Sequence, residues 1–137
     1  MRATRGAALM AAGSPFPSMR LDGTREIQIS QCNNLYIFPG VGLGSIVCQA
    51  NRVTAGMFHA ASTALSNMVT DEQLRKGLLL PPLENIREVS FEVAMAVAKQ
   101  ARKESVGIQV PDERLSQLMR AAMWVPRYYP YRLARTF

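Results

Sequence analysis

Gln31-Cys32-Asn33-Asn34-Leu35-Tyr36-Ile37-Phe38-Pro39-Gly40 sets two adjacent carboxamides directly before an apolar run that a proline and a glycine bring to a stop. An Asn side chain offers two donors and an acceptor without charge. It therefore suits the carboxylate or hydroxyl of a small acid, while the apolar run fixes the backbone beside it. The same pair also reads as an Asx turn capping the next element. From Pro39 the pattern turns helical: Val41, Ser45 and Cys48 share a face, Pro39 suits a first helical position, and Gly42 and Gly44 permit close packing against a neighbour.

Upstream, residues 7–12 form a short apolar stretch running into Gly13-Ser14-Pro15, which predicts a buried parallel strand ending in a loop. Ligands of open parallel sheets bind at the carboxyl ends of the strands, so Gly13 and Ser14 could approach a dinucleotide; equally, Ser14-Pro15 could simply end the strand, because proline cannot continue the ladder. Residues 21–29 carry Asp22-Gly23 between short alternating segments, a hairpin signal.

Downstream the chain predicts helices. Thr54 caps one reaching about Met68, with Met57, Ala61, Ala64 and Leu65 inward, and Thr70-Asp71-Glu72-Gln73 is a capping box for a short one that Gly77 ends. Pro81 and Pro82 precede a long amphipathic helix with Ile86, Val89, Val93 and Val97 on one face and Glu84, Glu88 and Glu92 on another. The glutamate row reads as a solvated face, since no histidine accompanies it as a metal ligand. A last helix from Asp112 to about Trp124 presents Leu115, Leu118, Met119 and Ala122, its Met and Trp reading as ordinary core. Residues 125–137 read as an aromatic strap that docks on the same subunit or a neighbour.

Gly40-x-Gly42-x-Gly44 is not a dinucleotide fingerprint, because position 45 is Ser and no acid lies about twenty residues beyond to meet a ribose. Cys32 and Cys48 form no C-x-x-C pair and His59 is the single imidazole, so no zinc set is recognisable and both thiols are expected reduced and packed.

The 137 residues, 48% hydrophobic and 19% charged, suffice for one domain with a core. A net charge of +6 and a pI near 9.9 raise the question of a polyanion partner. The cations are scattered rather than in blocks, which argues against nucleic acid despite the mixed Arg and Tyr of residues 127–135. The uncharged stretch is too short and too polar for a membrane span. Arg2, Arg5 and Arg20, with no acid before Asp22, resemble a transit peptide in composition, but we expect Met1 to begin inside a domain. Compartment stays open between cytoplasm and an organellar lumen.

Taken in order, Ala12-Gly13-Ser14-Pro15-Phe16, the Asn run, Arg52-Val53-Thr54, Gly77-Leu78-Leu79-Leu80-Pro81-Pro82-Leu83, Asn85-Ile86-Arg87-Glu88-Val89-Ser90 and Met123-Trp124-Val125-Pro126-Arg127-Tyr128-Tyr129-Pro130-Tyr131-Arg132 resemble the carboxy-terminal part of malic enzymes. The resemblance covers nearly the whole chain and is poor only over residues 17–30 and the extreme ends. It implies an α/β fold, the carboxy-terminal portion of a Rossmann-like NAD(P)-binding domain, mostly helical within these residues. Residues 1–38 would hold the strand, hairpin and Asn loop, 39–124 the helices, and 125–137 a docking tail.

The implied activity is oxidation and decarboxylation of malate to pyruvate with NAD or NADP and with Mg or Mn, in a homo-oligomer without nucleic-acid or membrane partners. Asn34 would contact the substrate, with Asn33, Gly13 and Ser14 bordering the cofactor. The family's general base, acid and metal ligands match no positions here, so catalytic and metal residues fall outside the chain. Three other readings compete: a truncated gene product without independent function, a helical interaction module, and a basic nucleic-acid binder. We expect the chain alone to be inactive, and to self-associate through Ile86, Val89, Val93 and Val97.

Overall fold

The computed structural model describes residue 4, residues 7–21 and residues 25–131. Two small sheets precede five helices. β1 (Ala11–Ala12) pairs in parallel with β4 (Ser30–Gln31), Ala11 opposite Ser30 and Ala12 opposite Gln31. Flanking bonds extend the pairing: Ser30 N donates to Met10 O at 3.0 Å and Cys32 N to Ala12 O at 2.7 Å. β2 (Met19–Leu21) and β3 (Arg25–Ile27) are antiparallel, Arg20 opposite Glu26. The expected Asp22-Gly23 turn lies outside the described residues.

The strand expected at residues 7–12 is shorter and less buried than its composition suggests. Only Ala11 and Ala12 pair regularly, and Ala11 is exposed. Among the described residues β1 has one strand neighbour, whereas strands of buried parallel sheets are covered on both faces.

The helices are α1 (Phe38–Val47), α2 (Ala55–Asn67), α3 (Asp71–Arg75), α4 (Ile86–Lys103) and α5 (Asp112–Ala122). Their starts follow the local chemistry. Thr54 accepts from Met57 N at 3.1 Å to cap α2. Thr70 and Gln73 close a full capping box on α3, and Gly77, at φ +84°, turns the chain out of it.

α4 is the spine of the helical part. Val89, Val93 and Val97 have no exposure, and Ala94, Ala98 and Ala101 on a neighbouring flank have none either. The expectation of a single apolar stripe left without a partner is therefore wrong. α1, α2 and α5 all pack on α4, so its small and branched residues are enclosed.

α1 approaches α4 through glycines. A Cβ at Gly40 would stand 2.6 Å from Val93 Cγ1, and one at Gly44 would stand 2.6 Å from the Ala94 carbonyl oxygen. At Gly42 a Cβ would meet nothing within 4 Å. The packing pair is thus Gly40 and Gly44, one helical turn apart on one face, rather than Gly42 and Gly44.

Beyond α4, Asp112 fastens the start of α5. Its two carboxylate oxygens lie 2.7 Å from Lys99 Nζ and 2.7 Å from Arg102 Nη2. Hydrogen bonds from Lys99 and then Arg102 hold the carboxyl below the ordinary value of 3.8. Leu115 and Met119 face the core, but Trp124 does not belong to it: the indole is 72% exposed. Arg87 Nη2 donates to Trp124 O at 3.0 Å, after which Val125, Tyr128, Tyr129 and Tyr131 are exposed. The described part of the tail, residues 125–131, is exposed, and within it Arg127 stacks 4.7 Å over the Tyr129 ring. Cys48 is buried but Cys32 is exposed, so only one thiol is packed. No helix among the described residues is long and apolar enough to cross a membrane.

Two outcomes follow for purified protein. Gly44→Ala should lower stability by about 1–3 kcal/mol through overpacking, while Gly42→Ala should be neutral or stabilising by up to about 1 kcal/mol through helix propensity. Equal denaturation midpoints for the two variants would contradict the close approach. Asp112→Asn should lower the melting temperature at neutral pH. The depressed carboxyl stabilises the fold above its unfolded value, a contribution lost as pH falls through the folded value, so the gap between variant and parent should close in acid. A gap that persists at low pH would show that charge is not its source.

Candidate substrate and cofactor edge

The parallel register carries the chain to the candidate residues. With Ala12 opposite Gln31, both strands leave the pair at their carboxyl ends, Gly13 and Ser14 from β1 and Cys32, Asn33 and Asn34 from β4. A Cβ on Gly13 would lie 3.8 Å from Cys32 O, and Asn33 Nδ2 donates to Gly13 O across 3.5 Å, at the weak limit of such a bond. Gly13, Ser14, Asn33 and Asn34, separated by some twenty residues of sequence, thus share one edge. That edge is where open parallel sheets receive ligands.

The two asparagines differ. Asn33, extended at φ −113° and ψ 149°, caps the short 3₁₀ turn Asn34–Tyr36 by accepting from Leu35 N at 2.9 Å. Its carboxamide is engaged by the fold at both ends, as the Asx-turn reading expects. Asn34 opens the turn, is exposed, and gives its backbone oxygen to Ile37 N at 3.0 Å. No described group bonds its carboxamide. Asn34 is among the residues bordering an apolar cavity of about 480 Å³, walled otherwise by Ile37, Phe38, Val41, Ser45, Ile46 and Phe58. Within that wall Ser45 Oγ is buried and has no hydrogen-bond partner.

Tyr36 closes the turn. It is 3% exposed, and its hydroxyl donates to Pro81 O at 2.6 Å. Burial first, then the charges of Glu84 and Cys32, push this phenol above its ordinary value, so it stays a neutral donor. A second bond nearby joins Leu79 N to Ser30 Oγ at 2.7 Å. Sequence reading missed Ser30, Tyr36 and Pro81; a lone hydroxyl in the apolar run Leu35–Phe38 was the available signal.

The other candidates resolve simply. Glu88 and Glu92 are exposed on α4, with Glu84 exposed just before it. His59 lies in a separate groove of about 560 Å³ between α2 and α4, with Gln100 and Lys103. Among the described residues no three of His, Cys, Asp and Glu come together, so this donor set does not fit a metal ion. An open Gly-Ser turn beside uncharged amides does fit the border of a dinucleotide, since Gly13 leaves room at its Cβ position and Ser14 is exposed. Gly40 and Gly44, sealed against α4, are helix-packing residues and not a phosphate loop.

A parallel strand pair with small and amide side chains at its carboxyl edge, followed along the chain by a cluster of helices, is what a piece of a dinucleotide-binding α/β domain would present. Comparison with known proteins agrees: the sequence profile described as malic enzyme, NAD binding domain, matches residues 1–102. An NAD-dependent malic enzyme of Pseudomonas aeruginosa is 50% identical over 129 residues, 94% of this chain and 23% of the relative. Proteins of the same name from Pseudomonas savastanoi and Psychrobacter cryohalolentis are 44% and 41% identical over 135 and 129 residues, again 23% of each relative and 96% and 94% of this chain.

The chain belongs to the malic enzyme family, within its Rossmann-like NAD-binding domain. It spans about a quarter of the length of the curated relatives it matches.

Stability should separate the two amides. Asn33→Ala should cost about 0.5–2 kcal/mol as a lost cap, and Asn34→Ala should leave the denaturation midpoint within error. The reverse order would mean that Asn34, not Asn33, holds the loop.

Proposed function

We propose that residues 1–137 are the part of a malic enzyme that borders malate and the nicotinamide during oxidative decarboxylation to pyruvate and carbon dioxide. The observation that carries this reading is the unpartnered Asn34 carboxamide at the carboxyl edge of a parallel strand pair. The relatives are NAD-dependent malic enzymes, which favours NAD over NADP. An NAD held at this border would supply the acceptor for the hydride of malate C2. Asn34 donates to a malate carboxylate and so turns the one hydrogen on C2 toward the cofactor side. Asn33, Gly13 and Ser14 form the adjoining border, Asn33 held rigid by Leu35 N and Gly13 O.

An uncharged amide orients the acid without holding ground and transition states equally tightly, as a second cation would. Magnesium or manganese, in this reading, is held by residues outside 1–137, as are the proton-transferring groups. The same reading keeps residues 1–38 as the strand, hairpin and Asn loop and 39–124 as helices. It makes 125–137 a tail docking on a neighbour in a homo-oligomer, a role supported by the full exposure of Tyr128 and Tyr131.

The test is a chimera in which the Pseudomonas aeruginosa enzyme carries this chain in place of its matching segment. It should oxidise malate with NAD, whereas the 137-residue chain alone should not, since acid-base groups alone commonly supply about 10²–10⁴-fold. Asn34→Ala in the chimera should lower kcat/KM for malate about 10–100-fold, the value of one bond to a charged acceptor, with the KM for NAD changed less than about threefold. An unchanged kcat/KM would end the assignment of Asn34.

A further inference from the structure

The Asn pair lies between two residues that grip the same stretch of backbone. Ser30, 2% exposed, is tied by its own N–H to Met10 O and by its hydroxyl to Leu79 N at 2.7 Å. Six residues later, Tyr36 reaches Pro81 O at 2.6 Å. Residues 79–81 thus run beside residues 30–36 and are fastened to them at both ends.

The bonds have few substitutes. Pro81 and Pro82 bring no N–H to this stretch, and the Pro81 carbonyl precedes the 3₁₀ turn Leu83–Asn85 that leads into α4, so no helical donor serves it. Tyr36, buried, needs an acceptor, and Pro81 O, buried beside it, needs a donor. Between these anchors the Asx turn of Asn33 engages one carboxamide of the pair and leaves that of Asn34 free.

We propose that Ser30 and Tyr36 are positioning residues for Asn34, fastening its loop to residues 79–81 so that its carboxamide meets malate in one orientation. The role in malate binding rests on the reading of Asn34 as a substrate ligand; the fastening itself does not. Neither side chain touches substrate. Each acts through the loop, and the segment before α4 becomes part of the substrate site without contributing a side chain to it.

A double-mutant cycle in the chimera, with hydrogen exchange read by mass spectrometry, separates these claims. Tyr36→Phe keeps the ring and removes the hydroxyl. It should lower kcat/KM for malate about fivefold to tenfold with the KM for NAD unchanged, and should cost less than about twofold when Asn34 is already Ala, because coupled residues are not additive. The same Tyr36→Phe factor in both backgrounds, or none in either, would overturn the positioning role.

Exchange gives the independent arm. Tyr36→Phe and Ser30→Ala should each speed exchange in residues 33–37 and 79 together, with α5 unchanged. If Asn34→Ala leaves malate use intact, the substrate reading fails while exchange still decides the fastening. Unaltered exchange in both segments would overturn it.

Discussion

The structure depends on how closely α1 lies on α4. Gly40 and Gly44 place backbone where side chains would otherwise stand, so Val93 and Ala94 meet the α1 main chain directly. Because the 3₁₀ turn bearing Asn34 runs straight into α1, that contact also fixes the loop. The same α4 is preceded by Pro81, whose carbonyl holds Tyr36. One long helix therefore sets the candidate edge twice, through the glycine contact and through the segment that leads into it.

The uncovered surface is as informative as the core. α1 carries no charged residue on any side, a pattern of helices enclosed all round, yet among the described residues it is covered mainly on the flank facing α4 and α5. On its other side Phe38 and Ile46 are 75% and 76% exposed, and Val53 and Phe58 continue the patch from the start of α2. These are the surfaces, together with the second edge of β1, on which a longer malic enzyme polypeptide would pack in the proposed reading. A chain matching 23% of its relatives' length has this shape: enclosed around α4 and open around α1 and β1.

Local chemistry made the helices legible. Thr54 and the Thr70–Gln73 box act within a few residues, and each caps its helix in the structure as its side chain predicts. Contacts between distant segments were not legible. Gly40 rather than Gly42 packs because α4 arrives on that side, and Tyr36 finds its acceptor 45 residues away. Trp124 looked like core by size, but α5 ends before it and buries Leu115 and Met119 instead. At the candidate site the pair Asn33-Asn34 stood out as an amide site or a turn. The structure divides those roles, because a cap needs one carboxamide and leaves its neighbour free.

The most direct measurement is a crystal structure of the chimeric enzyme with malate and reduced dinucleotide, a combination that cannot turn over. The account predicts Asn34 Nδ2 at about 3 Å from a malate carboxylate oxygen, with Asn33 still accepting from Leu35 N and Tyr36 still on Pro81 O. Malate bound elsewhere while the Asn34 carboxamide faces solvent would contradict it.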